Sequence, residues 1–273
     1  MSTTEERVKF FSDNATFYNK ANEFTARFAA TALTFVHALD ASSVVHDNAS
    51  GPGIVSFTIA KKFTNKDDAP RIYGTDLAPG MVELMNTQIK AKDLVGKVSA
   101  EIMDARDLSV FEEGKFSHSF THFAIMMAGE DAIKVASEIY RTLQPNGTAC
   151  VTTWKQSATD LIDNVARRIR PHEEPYQPIP KEWKTKEHLA ATLVAAGFRE
   201  ENIEVHLKED GWEFESEQDR WEYFTHPFWG LFRPGWTEEE AAQWDDVMKE
   251  ELIKVAGPGG EVRGAAWLAI AKK

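Results

Sequence analysis

Cysteine is almost absent. The 273 residues contain one, Cys150. No disulfide can form within the chain, and iron–sulfur and multi-cysteine zinc sites are excluded; no lysine- or histidine-rich cluster signals a catechol-type magnesium site, and no metal is expected. Cys150 lies in the apolar run "TACVTTW" and reads as core. Long apolar runs are also missing, and none approaches the roughly 20 residues a helix needs to cross a bilayer. The opening "MSTTEERVK" is polar and charged, without an apolar segment, so no secretory signal is expected. The cytoplasm is the default location.

Cations are scarce. Lys and Arg total 31 against 43 Asp and Glu, a net charge of -12. A field of that sign disfavours nucleic acid and anionic membranes as partners. The one basic cluster, Arg167, Arg168 and Arg170, reads as a solvated helix face. Tryptophan is missing from the first 153 residues, and all eight fall between 154 and 267. The first half therefore reads as a scaffold for a cofactor, and the second as an aromatic cover over an apolar ligand.

What is present alternates. Residues 5–40 carry apolar side chains at helical spacing and predict two helices with a break near Ser12 to Asn14. Short apolar runs predict strands over 43–46, 71–74, 98–103, 116–120 and 148–154. Helical patterns lie between them at 54–62, 78–94 and 131–143, the last stopped by the turn signal "QPNG". That alternation predicts an open α/β sheet, parallel in this part. Beyond it, "RPHEEPYQPIP" reads as an insertion or lid. A helix capped by Thr185 and ended by Gly197, a strand over 203–207, two further helices and a strand over 265–271 complete the chain. The stretch "YFTHPFWGLFRPGW" packs Tyr223, Phe224, Phe228, Trp229, Phe232 and Trp236 into 14 positions.

The run "VVHDNASGPGIVS" carries the first chemical signal. Val44 and Val45 read as a buried strand, Gly51 and Gly53 as a tight turn, and Ile54 as the start of a helix whose free N–H groups suit a polar small molecule. A dinucleotide site wants G-x-G-x-x-G directly after the strand, and Ser56 stands in the third glycine place. This disfavours a nicotinamide oxidoreductase. A site for S-adenosylmethionine wants an acid at the strand end and then alternating small residues, and Asp47, Ala49, Gly51 and Gly53 fit that pattern. His46 reads as a satisfied core histidine.

On these residues the chain resembles the class I S-adenosylmethionine-dependent methyltransferases, closely over 42–155 and more loosely over 185–273. "GTDLAPGMVELM" is similar to the family's second motif. The resemblance implies that Asp76 holds the ribose hydroxyls, with Leu77 and Met81 beside it. "AEIMDARDL" resembles the adenine motif, which would place Asp104 at the exocyclic amine and Ala105 in backbone contact. "FSHSFTHFAIMM" occupies the fourth-strand position, which brings His122 and Phe123 to the meeting point of cofactor and substrate. His122 is the candidate general base. Asp47 would anchor the glycine loop or receive the amino group through water, and Tyr18 would cover the cofactor's carboxylate.

The resemblance implies a Rossmann-like fold with a seven-stranded, mostly parallel sheet whose last strand is antiparallel. It further implies one domain over 1–273, with an N-terminal helical cap (1–40), a cofactor half (41–155) and lid elements (156–184 and 211–258). Trp154, His226, Phe228 and Trp229 are the candidate acceptor-pocket residues. "DNASGPGIVS" followed by "TDLAPGMVE" is similar to fungal secondary-metabolite enzymes of the gliotoxin thiomethyltransferase type. The implied reaction is methyl transfer to a thiol, nitrogen or hydroxyl of a small apolar or aromatic metabolite. Without a clear base, sulfur or nitrogen is favoured over oxygen. The alternative is a non-catalytic protein that keeps the fold and binds the cofactor as an interaction module.

Overall fold

The computed structural model describes residues 3–177, 179–256 and 260–273. Pro178, Gly257 and Pro258, within the expected lid segments, lie outside the described residues. Helix α1 (Thr4–Asp13) starts on a reciprocal cap, in which Thr3 accepts from the Glu6 amide and Glu6 accepts from the Thr3 amide. It breaks at Asn14. Helix α2 (Ala15–Tyr18), a 3₁₀ turn (Asn19–Ala21) and α3 (Asn22–Ala32) follow. The expected second helix is thus in pieces and stops early. Phe35 lies beyond its end and stacks on His206 of a distant strand at 3.9 Å.

Strand and helix then alternate as β1 (Val44–Asn48), α4 (Ile54–Ala60), β2 (Arg71–Asp76), α5 (Pro79–Ala91), β3 (Val98–Ile102), β4 (Phe116–His122), α6 (Ala132–Thr142) and β5 (Leu143–Gln156). Strand β5 is twice the expected length. The "QPNG" segment lies within it, with Asn146 at φ 65°. Helix α7 (Ala158–Ile169) was expected only as the helix face carrying Arg167 and Arg168, and its extent was not placed. Ser157 caps it, and the Asp160 carboxylate closes back onto the Ser157 amide. The remaining elements are α8 (Lys186–Ala195), β6 (Ile203–Trp212), α9 (Glu217–Thr225), α10 (Glu238–Ala242), α11 (Trp244–Val255) and β7 (Val262–Lys272).

The seven strands form one sheet in the order β3-β2-β1-β4-β5-β7-β6. Strands β1 to β5 pair in parallel, and β7 runs antiparallel between β5 and β6. The order reverses between β1 and β4, so a crevice opens at their carboxyl ends, the usual ligand position in such sheets.

Two main apolar clusters hold the molecule, beside a small one of Ala15, Ala78 and Met81. The larger lines the sheet and includes Val45, Phe116, Ile139, Val151 and Leu268. The second main cluster joins α7, α9 and α11 through Ile162, Val165, Phe224, Trp244 and Met248. His46 belongs to the sheet core, where it is fully buried, stacks on Phe116 at 4.7 Å and bonds the Thr75 hydroxyl at 2.9 Å. Cys150 is buried in β5, and burial pushes its thiol up to about 12. It is inert packing at neutral pH.

Candidate active site

The glycine turn after β1 is built from left-handed backbone. Ala49, Gly51 and Gly53 have φ of 52°, 53° and 95°. Glycine takes such angles freely, whereas at Ala49 the methyl group costs about 1–2 kcal/mol. Gly53 is needed for packing: a Cβ there would lie 2.7 Å from Phe57 and 2.9 Å from Met85. Gly53 lines no described cavity, while Ala49 and Gly51 do.

Asp47, next to last in β1, is fully buried. One of its oxygens accepts from the Ser56 amide at 3.0 Å and the Ser56 hydroxyl at 2.6 Å. It ties strand to helix across the turn and lines neither cavity. The residue that spoils a dinucleotide fingerprint thus has its own use here. Burial raises the Asp47 carboxyl to about 7 against the opposing effect of the Ser56 bonds.

Asp76 ends β2 and faces the turn. Its Oδ2 accepts from the Gly51 amide at 2.8 Å, and its Oδ1 accepts from the Ala78 amide at 2.9 Å. Burial raises its pKa, and the two amides oppose the rise. Asp104, past the end of β3, is held by Arg106, whose guanidinium meets both carboxylate oxygens at 2.7–3.0 Å and also reaches Asp131 at 2.9 Å. These bonds hold the Asp104 carboxyl below its usual range. Neither motif reading signalled Arg106.

These residues line a cavity over the carboxyl ends of β1, β2 and β4. Tyr18, Ala49, Gly51, Asp76, Leu77 and Met81 form one side, and Asp104, Ala105, His122 and Phe123 form the other. Helix α1 roofs it with Thr4, Arg7, Val8 and Phe11. Arg7 donates to the Met127 carbonyl at 2.9 Å across the cavity. The sequence reading expected an N-terminal helical cap but named none of these four residues, because polar α1 has no buried residue and resembles any surface helix.

A second cavity opens behind the first. Trp154, Phe228 and Trp229 line it, with Phe24, Thr25, Trp212 and Tyr223. Phe11, Tyr18, Phe123 and Met127 line both cavities. Phe123 reaches this shared wall through a left-handed backbone, φ 55°. His226 does not join the second cavity. It stacks on Phe17 at 3.7 Å, and its Nδ1 accepts from the Phe228 amide at 3.1 Å.

His122 is not poised as a base. Its Nε2 lies 3.1 Å from the Thr25 carbonyl, which can only accept, so Nε2 carries the proton. Nδ1 then accepts from the Thr152 hydroxyl at 3.1 Å. Burial lowers the ring's pKa to about 4. Its one lone pair is engaged within the protein.

Residues 45–147, which include every strand of this crevice, match a family described as a methyltransferase domain. The chain carries a methyltransferase domain. Methyltransferase tpcH of Aspergillus fumigatus is 26% identical over 71% of each chain. Methyltransferase ucsB of an Acremonium species is 28% identical over 58% of this chain and 56% of its own length. The acetylaranotin bis-thiomethyltransferase of Aspergillus terreus is 24% identical over 72% of this chain and 65% of its own. The matches thus span between 56% and 71% of these relatives.

Among solved structures, the MccD protein superposes with a TM-score of 0.56 at 16% identity, covering 92% of this chain and 97% of that one. A Haemonchus contortus phosphoethanolamine N-methyltransferase 2 in complex with S-adenosylmethionine superposes at 0.53 and 16% identity, covering 90% and 52%. At such identities the likeness is one of fold. The methyltransferase sheet, with its antiparallel β7, is the one expected from the sequence. Among the described residues no helix is long and apolar enough to cross a membrane.

Proposed function

We propose that this methyltransferase moves a methyl group from S-adenosylmethionine to a thiol, nitrogen or hydroxyl of a small apolar metabolite, in secondary metabolism. One observation carries the reading: the two cavities share a wall of Phe11, Tyr18, Phe123 and Met127. A donor in the first cavity and an acceptor in the second would meet there.

The first cavity suits the cofactor. Asp76 spends one bond of each oxygen on a backbone amide, so a carboxylate with about four acceptor directions retains two for a sugar diol. Leu77, Met103, Ala105 and Val135 give the flat surfaces a purine needs, beside Asp104. Gly51 leaves backbone open next to Tyr18. Bound there, with Asp76 at the ribose and Asp104 beside the purine, S-adenosylmethionine would supply an activated methyl on a cationic sulfur, with neutral S-adenosylhomocysteine as the leaving group and an acceptor that has given up its proton to solvent on entry.

The chain's own residues then align and shield. The aromatic walls exclude water and hold the acceptor in line, which alone supplies a large share of the acceleration. No base is at hand, because His122 is engaged at both nitrogens. An acceptor that ionises or carries a free pair near neutral pH is therefore favoured, which leans toward sulfur or nitrogen. The Aspergillus terreus relative, a thiomethyltransferase by name, supports the sulfur side.

Calorimetry with S-adenosylhomocysteine and with NAD, followed by a mass-read screen with isotope-labelled cofactor over thiols, amines and phenols, tests the reading. S-adenosylhomocysteine should bind and NAD should not. Methyl transfer should appear with apolar thiols. Binding of NAD alone would overturn it.

A further inference from the structure

We infer that the acceptor is a flat aromatic molecule in neutral or anionic form, and that the second cavity refuses protonated or quaternary amines. This rests on the methyl-transfer reading and narrows its substrate class.

The observation is a ladder of near-parallel rings. Phe123 stacks on Trp154 at 3.7 Å and 7°. Trp154 lies 6.0 Å and 10° from Phe24, and Phe24 lies 5.5 Å and 5° from Trp212. Phe214 covers Trp212 from beyond, at 4.7 Å and 29°. The four central rings come from α3, the turn after β4, β5 and β6, and all four line the second cavity. Gly264 of β7 makes room for them, since a Cβ there would lie 2.8 Å from Phe24 and 3.4 Å from Trp154.

The stacking decides what the cavity offers. In Trp154, Phe24 and Trp212 the faces are turned to neighbouring rings, so the edges remain for a ligand. A ring's edge is the positive end of its quadrupole and its face the negative end. A cation is attracted to faces, and those of the ladder are turned to one another. No carboxylate compensates: among the described residues the only charged side chain lining the cavity is Arg263, a cation paired with Glu261 at 3.4 Å. Of the hydroxyls that line it, those of Ser157 and Thr159 bond each other at 2.9 Å. By contrast, the electron-rich face of an aromatic acceptor meets a wall of ring edges in the favourable T-shaped arrangement. A thiolate or phenolate on that ring meets no like charge.

The test uses the intact protein saturated with S-adenosylhomocysteine, so that no reaction intervenes. The probes are 2-naphthalenethiol, 2-naphthol and (2-naphthylmethyl)trimethylammonium, and binding is read by calorimetry and by quenching of tryptophan fluorescence. The thiol and the naphthol should bind at least tenfold more tightly than the ammonium. Trp154→Leu should weaken naphthol binding tenfold or more and leave S-adenosylhomocysteine affinity within twofold, which also shows that the variant is folded. Equal or tighter binding of the ammonium, or no naphthyl binding at all to the saturated protein, overturns the inference while the methyl-transfer reading stands. Failure of S-adenosylhomocysteine to bind overturns that reading, and the inference with it.

Discussion

At the scale of single residues, burial changes what each ionisable group can do. His122 follows the fourth strand, where a base would be useful, yet its proton and its lone pair are both committed to Thr25 and Thr152. His122→Asn should therefore lower kcat for a thiol acceptor by less than about tenfold, whereas loss of a true base costs roughly 10²–10⁴-fold. A loss in that range, with a histidine-like limb in the pH–rate profile, would restore the base.

Asp47 behaves differently. Its carboxyl is raised to about 7 in the folded chain, from 3.8 when unfolded. Between those values the folded state holds the proton more tightly, so Asp47 makes the protein less stable as pH rises from about 4 to about 7, with no further change above. His46, His118 and His122, lowered to about 3, 4 and 4, act oppositely and lose stability as pH falls below about 6.5. Asp47→Asn isolates the first effect. The melting temperature of the variant minus that of the parent should climb between pH 4 and pH 7 and then level off. A flat difference would mean that Asp47 is ionised without penalty.

At the scale of elements, the roof over the first cavity depends on one close contact. Gly80, in the first turn of α5, touches the backbone of Ser12 at the end of α1, and a Cβ there would lie 2.8 Å from the Ser12 Cα. Neither backbone can yield cheaply, and overpacking of this kind costs about 1–3 kcal/mol. Gly80→Ala should lift α1 from α5 and strain the Arg7–Met127 bond. The expected result is faster proteolysis of the first 15 residues and weaker S-adenosylhomocysteine binding with the sheet intact, checked by limited digestion and calorimetry.

Elements were legible in the sequence where burial is two-sided. Strands β1, β2 and β4 are short and mostly buried, each with an apolar or aromatic residue near its start, and the ends carrying Asp47 and Asp76 could be placed from the sequence. Strands β6 and β7 were cut short in the reading because β6 is an edge strand. Its outer half, "KEDGW", is charged and looks like a turn. The extent of helix α7 was hidden by the prolines that follow it, although Ser157 and Asp160 three residues on are a capping signal in plain sight. The left-handed turns at Ala49 and Phe123 could not be read, since neither residue type advertises that angle. Nor could the ring ladder, which gathers Phe24, Phe123, Trp154 and Trp212 from across more than 180 positions.

At the scale of the whole molecule, the two main apolar clusters separate two tasks. The first cavity stands on the sheet, while Trp229 belongs to the cluster of α7, α9 and α11. There its indole donates to the Tyr223 carbonyl at 2.7 Å and its ring stacks on Phe224. It is 5% exposed. Trp229 thus packs the cover and lines the acceptor cavity at once, and Trp229→Ala should cost about 3–5 kcal/mol of stability. Its effect on acceptor affinity cannot be read without that loss.

Asp76 has the opposite character. Asp76→Asn changes little volume but turns an N–H toward the amides of Gly51 or Ala78. Losing charge-assisted bonds should weaken S-adenosylhomocysteine by roughly 10-fold to 150-fold, on the order of 1.5–3 kcal/mol. Thermal shifts separate the two cases. At 100 times its dissociation constant a ligand adds about 2.7 kcal/mol, and for a chain of this size each kcal/mol raises the melting temperature by roughly 2–4 °C. Distant, independent sites add. Trp229→Ala should therefore melt well below the parent yet keep nearly the full rise of about 5–10 °C with S-adenosylhomocysteine. Asp76→Asn should melt near the parent and lose between about half and nine-tenths of that rise at the same ligand concentration. A Trp229→Ala protein that loses the rise would mean that cover and cofactor cavity are coupled, with the shared wall of Tyr18 and Phe123 as the place to look.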